Sequence, residues 1–144
     1  MSRPPLQRIS MRPLHLVAVA AEGGPAGGPA AFHRLEQALV TLKGRRFYGV
    51  ATPLKEGVAY HAAAEAADAH EASRLNLEPL KVQAGEWLQH KMFDWKGVAH
   101  TIGDTIDRIA STHTIDHGRP TLEFYRSERE LRLLIPVITN HQKR

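Results

Sequence analysis

Two apolar stripes with helical spacing constrain the fold of this chain more than any other feature. The stripes are Phe32, Leu35, Leu39 and Leu42, then Val98, Ile102, Ile106 and Ile109. They begin 66 residues apart, and each follows one strand-like segment and precedes two more. The order strand–helix–strand–strand therefore occurs twice. An internal duplication of about 65–75 residues can bury a shared core across a pseudo-two-fold axis.

In the first half, the predicted strands cover residues 14–21, 45–51 and 58–66. A Gly/Pro-rich loop is expected at 22–29, with Pro29 in the first turn of the helix and Gly44 at its end. For the Ala-rich segment 58–66 a helix is the alternative, because alanine is the best helix former.

In the second half, residues 77–93 predict one long strand, bulged near Gly85. Residues 116–120 predict a turn, and 122–126 and 131–138 predict two strands joined by a charged hairpin. The polar segment 67–76 is interpreted as a linker between the halves.

The predicted fold class is α+β, with antiparallel sheets and helices outside them. A length of 144 residues suits one domain. We assign it to residues 14–138, with repeats at about 14–68 and 77–138, a basic N-terminal tail at 1–13 and a C-terminal tail at 139–144.

The net charge of +4 first suggests a nucleic-acid partner. Five of the 19 Lys and Arg residues lie in the two tails, which leaves 14 against all 15 Asp and Glu. The body of the chain is therefore near neutral, and no direct nucleic-acid contact is expected. The five basic tail residues are Arg3, Arg8, Arg12, Lys143 and Arg144.

Composition and targeting signals exclude further classes. The absence of cysteine removes disulfides, thiolate metal sites and Cys nucleophiles. Hydrophobic residues at 42% exclude a disordered chain. The longest apolar stretch, 14–21, contains His15 and is far shorter than a membrane span of about 20 residues. We expect a cytoplasmic protein with no membrane partner.

Four segments of the chain resemble strands of the GyrI-like small-molecule-binding family and follow one another as they do in that family. The family includes the effector-binding domains of multidrug-sensing transcription regulators and gyrase-inhibitory proteins. The four segments are Val-Gln-Ala-Gly-Glu-Trp at 82–87, Pro-Thr-Leu-Glu-Phe-Tyr at 120–125, Leu-Arg-Leu-Leu-Ile-Pro-Val at 131–137 and Phe-Tyr-Gly-Val at 47–50. The family often has a His-x-Gly-Pro-Tyr-like step before the second helix. Residues 92–97 depart from it, so the mouth of the pocket is expected to differ.

The resemblance implies a duplicated βαββ fold with a ligand groove between the repeats. In the multidrug sensors, the Glu of the Pro-x-x-Glu-x-Tyr-like strand lies at the base of that pocket and contacts aromatic cations. That position is Glu123 here.

The residues themselves support a binding groove around Glu123. Glu123 and Tyr125 are two apart on a strand and share a face, while Leu122 and Phe124 take the opposite face and are expected to pack on a helix. A carboxylate beside aromatic rings in a partly dry cleft suits a lipophilic cation. The other aromatic candidates for the groove are Trp87, Tyr48, Tyr60, Phe93 and Trp95, whereas Phe32, Phe47 and Phe124 are interpreted as core. For Trp87 and Tyr48, pocket and core remain equal alternatives.

Metal and serine-nucleophile sites receive little support. His113 and His117 have possible ligand spacing but straddle a predicted helix end, and no Gly-x-Ser-x-Gly elbow occurs. No metal or other cofactor is expected.

Three functions follow. The first is a stand-alone binding protein for amphipathic aromatic, cationic ligands, acting in drug or toxin sensing or sequestration. The second, implied by the resemblance, is a hydrolase of electrophilic aromatic genotoxins, with Glu123 and Tyr125 as catalytic residues. The third is a protein-interaction role toward a gyrase or a transcription regulator, through the loop 22–29 or the loop 94–96 around Trp95.

Overall fold

A computed structural model describes residues 6–138 of the chain, and its strands form one continuous antiparallel sheet. The eight strands are β1 (Gln7–Met11), β2 (Leu14–Ala20), β3 (Phe47–Pro53), β4 (Val58–Glu65), β5 (Glu78–Val82), β6 (Gly85–Phe93), β7 (Thr121–Tyr125) and β8 (Glu130–Pro136). Their order in the sheet is β1-β6-β8-β7-β3-β4-β2-β5. The helices are α1 (Gly28–Ala38), α2 (Glu71–Arg74) and α3 (Ile102–Ala110), with 3-10 segments at Gly24–Gly27 and Trp95–Thr101.

The α+β prediction is confirmed, and the two predicted repeats lie side by side. Strands β2, β4 and β3 are neighbours in one half and β6, β8 and β7 in the other, and β3 pairs with β7 at the centre. In that pairing Gly49 lies directly opposite Glu123. The outer strands cross between halves, because β1 pairs with β6 and β5 pairs with β2.

Both long helices cover the same face of the sheet. Leu35 of α1 packs in a cluster with Val17 and Ala62, and Ile109 of α3 packs with Leu88 and Ile135. Residues that pair directly on neighbouring strands point to the same side of a sheet, and so do residues two apart on one strand. The register from β2 across to β6 therefore places all four strand residues on one face. The groove between α1 and α3 therefore lies over the central strands β3 and β7.

The opposite face of the sheet is also buried, although no helix among residues 6–138 packs in its cluster. Its cluster contains only strand residues, among them Val82 of β5 and Trp87 of β6, from opposite ends of the sheet. Residues that far apart meet because the sheet curls into a half-barrel and packs this face against itself. Leu122 and Phe124 pack in this cluster, so their expected packing on a helix was wrong.

The Ala-rich segment 58–66 is strand β4, and the helical alternative was wrong. Ala62, Ala63 and Ala64 are fully buried, with side chains on both faces between β2 and β3. Small side chains on both faces suit a central strand of a tightly covered sheet. Tertiary packing therefore overrides helix propensity here.

Helix α1 begins as predicted and ends earlier. Pro29 lies in its first turn, but the helix stops at Ala38 because Leu39 is extended, with ψ 139°. Leu39 stays buried, whereas Leu42 is 43% exposed. Gly44 occupies a turn in the loop that follows, at φ +75°. Residues 24–27 of the predicted Gly/Pro loop form a 3-10 turn.

The predicted long strand 77–93 is divided in two at residues 83–84. The division is necessary because β5 pairs with β2 at one edge of the sheet, while β6 pairs with β1 and β8 near the other. The N-terminal tail prediction also needs correction. Residues 7–11 form β1, and the Arg8 guanidinium donates to Glu86 Oε1 at 3.1 Å.

The predicted linker 67–76 contains a buried ion pair. The Glu71 carboxylate of α2 accepts hydrogen bonds from both terminal guanidinium nitrogens of Arg45, and the one from Nη1 is 2.7 Å long. The side chain of Glu71 is 3% exposed and that of Arg45 is 12% exposed. Arg45 also donates to the Glu65 carbonyl, and Glu71 accepts from the Ala67 amide. The segment therefore closes one end of the first repeat.

The second helical stripe is only partly helical. Val98 lies in the 3-10 segment before α3 and is 40% exposed. Equivalent strands and helices of the two halves begin 71 to 74 residues apart. The repeat offset of 66 residues that was predicted from Phe32 and Val98 was therefore too short. Between residues 6 and 138, no helix is long and apolar enough to cross a membrane.

Candidate functional site

Glu123 lies at the centre of the groove and is held by two tyrosines. The Tyr60 hydroxyl donates to Glu123 Oε1 at 2.6 Å, and the Tyr125 hydroxyl donates to the same oxygen at 2.7 Å. Tyr60 comes from β4, while Tyr125 follows two residues after Glu123 on β7. Alternation along the strands brings all three side chains to the helix-covered face.

Gly49 provides the room for this cluster. A Cβ at Gly49 would lie closer than 3.0 Å to the Tyr60 hydroxyl oxygen and to Glu123 Oε1. Because Gly49 pairs directly with Glu123, every larger residue would push against the carboxylate from the neighbouring strand. A glycine inside a strand often marks such a close approach. Gly49 between Tyr48 and Val50 in a strand-like segment is the sequence signal for this close approach.

The surroundings keep both phenols protonated. Burial, followed by the negative charge of Glu123, raises the pKa of Tyr60 and that of Tyr125 far above the usual range. Both hydroxyls therefore remain donors at any ordinary pH. Glu123 Oε1 accepts two hydrogen bonds, whereas no residue in the range 6–138 donates one to Oε2.

A cavity of about 500 Å³ lies beside this carboxylate, between α3 and the central strands. Glu123 and Tyr60 form part of its lining, and Asp107 and His117 lie at its exposed rim. The remaining walls are mostly aliphatic and include Ala51, Pro53, Val58, Ile102, Ile106 and Ile135. We call this space the Glu123 cavity. The buried Arg119 guanidinium also lines it, but its charge is paired with Asp116 at 2.9 Å. Among the described residues, the accessible Glu123 oxygen is therefore the unpaired charge inside an otherwise largely apolar compartment.

A second cavity, of about 420 Å³, lies on the α1 side of the groove. We call it the Trp95 cavity, and its aromatic walls are Phe32, Phe47, Trp95 and Tyr125. The centroid of the Tyr125 ring is 5.3 Å from that of Phe32 and 5.3 Å from that of Trp95. Tyr125 thus links the two cavities, since its ring lines one and its hydroxyl reaches the carboxylate of the other.

The structure brings together four of the predicted site residues, Glu123, Tyr125, Tyr60 and Trp95, although only Glu123 and Tyr60 line the larger cavity.

Trp87 and Tyr48 lie on the opposite face, in the cluster of strand residues, so of their two alternatives the structure shows core packing and not the groove. Trp87 is fully buried, with the Arg119 guanidinium 4.7 Å from its ring centroid. Tyr48 stacks on Phe124 at 4.9 Å. Phe93 ends β6, is 57% exposed and lines neither cavity. Strand alternation decides the first two positions, because each is one residue out of phase with the groove.

Phe32 and Phe47 were interpreted as core residues, and both pack against the buried cluster around Leu35, but both also line the Trp95 cavity. Phe32 lies on the groove-facing side of α1, where its ring meets Tyr60 and Tyr125 edge-on. Phe47 is directly opposite Tyr125 in the sheet. Nothing in an apolar stripe distinguishes a residue that fills a core from one that borders a cavity.

The histidines do not gather into a metal site within the described part of the chain. His113 Nδ1 instead lies 3.1 Å from the Ile109 carbonyl at the end of α3.

Comparison with protein-family models finds no match, and comparison with curated protein sequences finds none either. Solved structures with a similar fold do exist. An integron cassette protein, VCH_CASS2, from the mobile metagenome of Vibrio cholerae has a TM-score of 0.70 at 13% identity, covering 92% of this chain and 95% of its own.

SAV2435, solved bound to tetraphenylphosphonium, has a TM-score of 0.67 at 14% identity, covering 96% of this chain and 99% of its own. A hydrolase from Listeria innocua has a TM-score of 0.57 at 13% identity, covering 96% and 94%. At these identities the likeness shows the fold alone.

Proposed function

We propose that this chain is a GyrI-like, stand-alone small-molecule-binding protein that takes amphipathic aromatic cations in the Glu123 cavity. The observation that carries the proposal is the carboxylate itself. Two phenols hold Glu123 through one oxygen, and its other oxygen has no hydrogen bond within residues 6–138, beside a largely aliphatic cavity of about 500 Å³. The one buried cation that these residues contribute to the lining, Arg119, is already paired with Asp116.

The chemistry of the cavity matches a lipophilic cation. Aliphatic walls remove apolar ligand surface from water, at about 25 cal/mol per Å². A fixed carboxylate compensates a positive charge without having to be ordered on binding, and this lowers the cost of association. The structurally similar SAV2435 binds tetraphenylphosphonium, a lipophilic aromatic cation, which supports the same ligand class here. The resemblance to multidrug sensors makes drug or toxin sensing or sequestration the biological role that we propose.

Calorimetric titration with tetraphenylphosphonium and other aromatic cations tests this proposal. We expect binding to the wild type and about 10- to 100-fold weaker binding to Glu123→Gln, because opposite unit charges about 6–8 Å apart attract by roughly 2–3 kcal/mol at an effective dielectric constant of about 20. Glu65→Gln is the matched control, since Glu65 is a 44%-exposed carboxylate of β4 outside both cavities. Equal affinities of the wild type and Glu123→Gln across the panel would remove Glu123 from the site.

Hydrolysis of an electrophilic aromatic genotoxin at the same carboxylate is the second candidate. The accessible oxygen beside an apolar cavity favours it, and a structural neighbour is described as a hydrolase. In a strained cyclopropane conjugated to a ring carbonyl, Glu123 accepts a proton from water as the water oxygen bonds to the ring carbon. The carbon–carbon bond breaks, its electron pair reaches the carbonyl oxygen, and that oxygen takes the proton back as a phenol.

Product formation over many turnovers separates the two candidates. If the protein is a hydrolase, each molecule of it forms more than one product molecule from a cyclopropane-containing electrophile, and Glu123→Gln loses this turnover. A stoichiometric complex that releases no product would leave binding as the function.

A further inference from the structure

We propose that the Trp95 cavity is a second binding site, separate from the Glu123 cavity, and that it takes the head group of a small alkylated ammonium ion. Aromatic rings form its walls and two carboxylates, Glu36 and Glu128, line it. A neutral apolar ligand would use the rings alone, whereas a quaternary ammonium uses both the rings and the charges.

The aromatic walls come from three separate parts of the fold. Phe32 projects from α1, Tyr125 from β7, and Trp95 from the 3-10 segment that follows β6. Tyr125 meets Phe32 edge-on and Trp95 at a tilt of 60°. Their contacts with Tyr125 fix the relative positions of these rings at the wall of the cavity.

Two of these rings are held in place before any ligand arrives. The Tyr125 hydroxyl is bound to Glu123, and the Trp95 indole Nε1 donates to the Ser127 carbonyl at 3.3 Å. Binding therefore orders few side chains, which lowers its entropic cost.

The protein already places an ammonium group of its own at this cavity. Lys96 Nζ lies 6.0 Å from the centroid of the Trp95 ring and 3.9 Å from Glu128 Oε1. The Lys96 and Glu128 side chains are 60% and 92% exposed, so the contact is weak and reversible. A ligand cation with more methyl surface would replace Lys96 over the indole ring.

The charge balance permits this exchange. Two carboxylates and one lysine line the cavity, so it carries a net negative charge even with Lys96 in place. Moving the Lys96 side chain into water leaves both carboxylates to face the ligand.

Choline and its neutral isostere 3,3-dimethylbutan-1-ol are the probes. They differ in one atom, the positively charged nitrogen that replaces a quaternary carbon. Nitrogen-15 correlation spectra show one indole signal for each of the two tryptophans, and Trp95→Phe identifies the signal of Trp95. We expect choline to shift the Trp95 indole signal saturably, and the neutral isostere to bind at least about 10-fold more weakly.

Three variants test the mechanism. Lys96→Gln is expected to bind choline about two- to five-fold more tightly, because the competing internal cation is removed. Trp95→Ala is expected to abolish the calorimetric signal of choline binding, and the retained native fold is checked by thermal unfolding. Trp95→Phe keeps an aromatic wall and is expected to bind choline with intermediate affinity.

Glu123→Gln distinguishes this site from the Glu123 cavity, because it removes the charge while the amide oxygen can still accept from the Tyr125 hydroxyl. The choline-induced shift is therefore expected to persist in that variant. The proposal is overturned if choline leaves the Trp95 signal unmoved, if the isostere binds as well as choline, or if Lys96→Gln weakens binding. Loss of tetraphenylphosphonium binding in Glu123→Gln with retention of the choline shift would support both sites independently.

Discussion

The substitution Gly49→Ala tests the central arrangement of the Glu123 cavity with one methyl group. The added carbon would lie closer than 3.0 Å to the Tyr60 hydroxyl oxygen, to Tyr60 Cζ and to Glu123 Oε1. Ordinary contact requires at least 3.4 Å, so the phenol and the carboxylate must both move away from the strand. Because Tyr60 lies on β4 and Glu123 on β7, we expect them to be displaced in different directions and their 2.6 Å hydrogen bond to break.

The expected cost is the sum of a lost bond and an overpacked contact. A hydrogen bond to a charged group contributes roughly 1.5–3 kcal/mol, and overpacking in a closed site costs about 1–3 kcal/mol. Because the groove is open toward the cavity, partial relaxation should limit the total to about 2–4 kcal/mol. For a chain of this size, that corresponds to a fall in Tm of about 7–13 °C.

Thermal unfolding and calorimetric titration with tetraphenylphosphonium provide the two measurements. We expect affinity to fall about 10- to 100-fold, because the carboxylate oxygen no longer has a fixed position. Gly97→Ala is the matched control, since a Cβ there meets no atom within 4 Å. It should leave Tm and affinity close to those of the wild type. A Gly49→Ala protein with wild-type Tm and affinity would refute the arrangement of Tyr60 against Glu123.

Further predictions concern buried groups. Burial is the largest cause that raises the pKa of Tyr48, Tyr60 and Tyr125, the only tyrosines in the chain, so native protein should show no phenolate absorbance near the usual pH of about 10. Their contribution to stability is complete below pH about 10 and is lost as the pH rises above it; a native-state titration midpoint near 10 would contradict this. Tyr60→Phe removes one donor from the carboxylate and should weaken tetraphenylphosphonium binding in calorimetry; unchanged affinity would show that this donor does not position the carboxylate. Arg45→Met leaves Glu71 buried without its partner and should cost about 3–5 kcal/mol in denaturant unfolding, and a loss below 1 kcal/mol would disprove the buried pair. Arg45 lowers the pKa of Glu71, so the contribution of this pair is complete above the unfolded value of 4.5 and falls as the pH drops below it.

The duplicated arrangement was predictable because it depends on local periodicity. The first half of the apolar stripe, Phe32 and Leu35, is helical, and the alternating residues of 121–125 form a strand, as their spacing predicts. The pairing of Glu123 with Tyr125 on one face also follows from strand geometry alone. Local pattern thus identified the strand that carries the carboxylate.

Other features depended on which strands meet. The break at residues 83–84 exists because β5 and β6 join opposite ends of the sheet, whereas the local pattern at Gly85 indicated only a bulge. The position of Trp87 behind the groove follows from the register of β6 with β8, where Trp87 pairs with Pro136. The burial of Glu71 required Arg45 from a segment 26 residues earlier in the chain.

The amino-acid sequence by itself determined the repeat, the fold class and the strand that bears Glu123, because these depend on residue spacing within a single element. Only the tertiary structure decided what surrounds that carboxylate. Tyr60 comes from 63 residues away, Gly49 from the facing strand, and Phe32 from a helix packed above them. Such contacts are set by strand order and by the curl of the sheet, which depend on the packing of the whole chain.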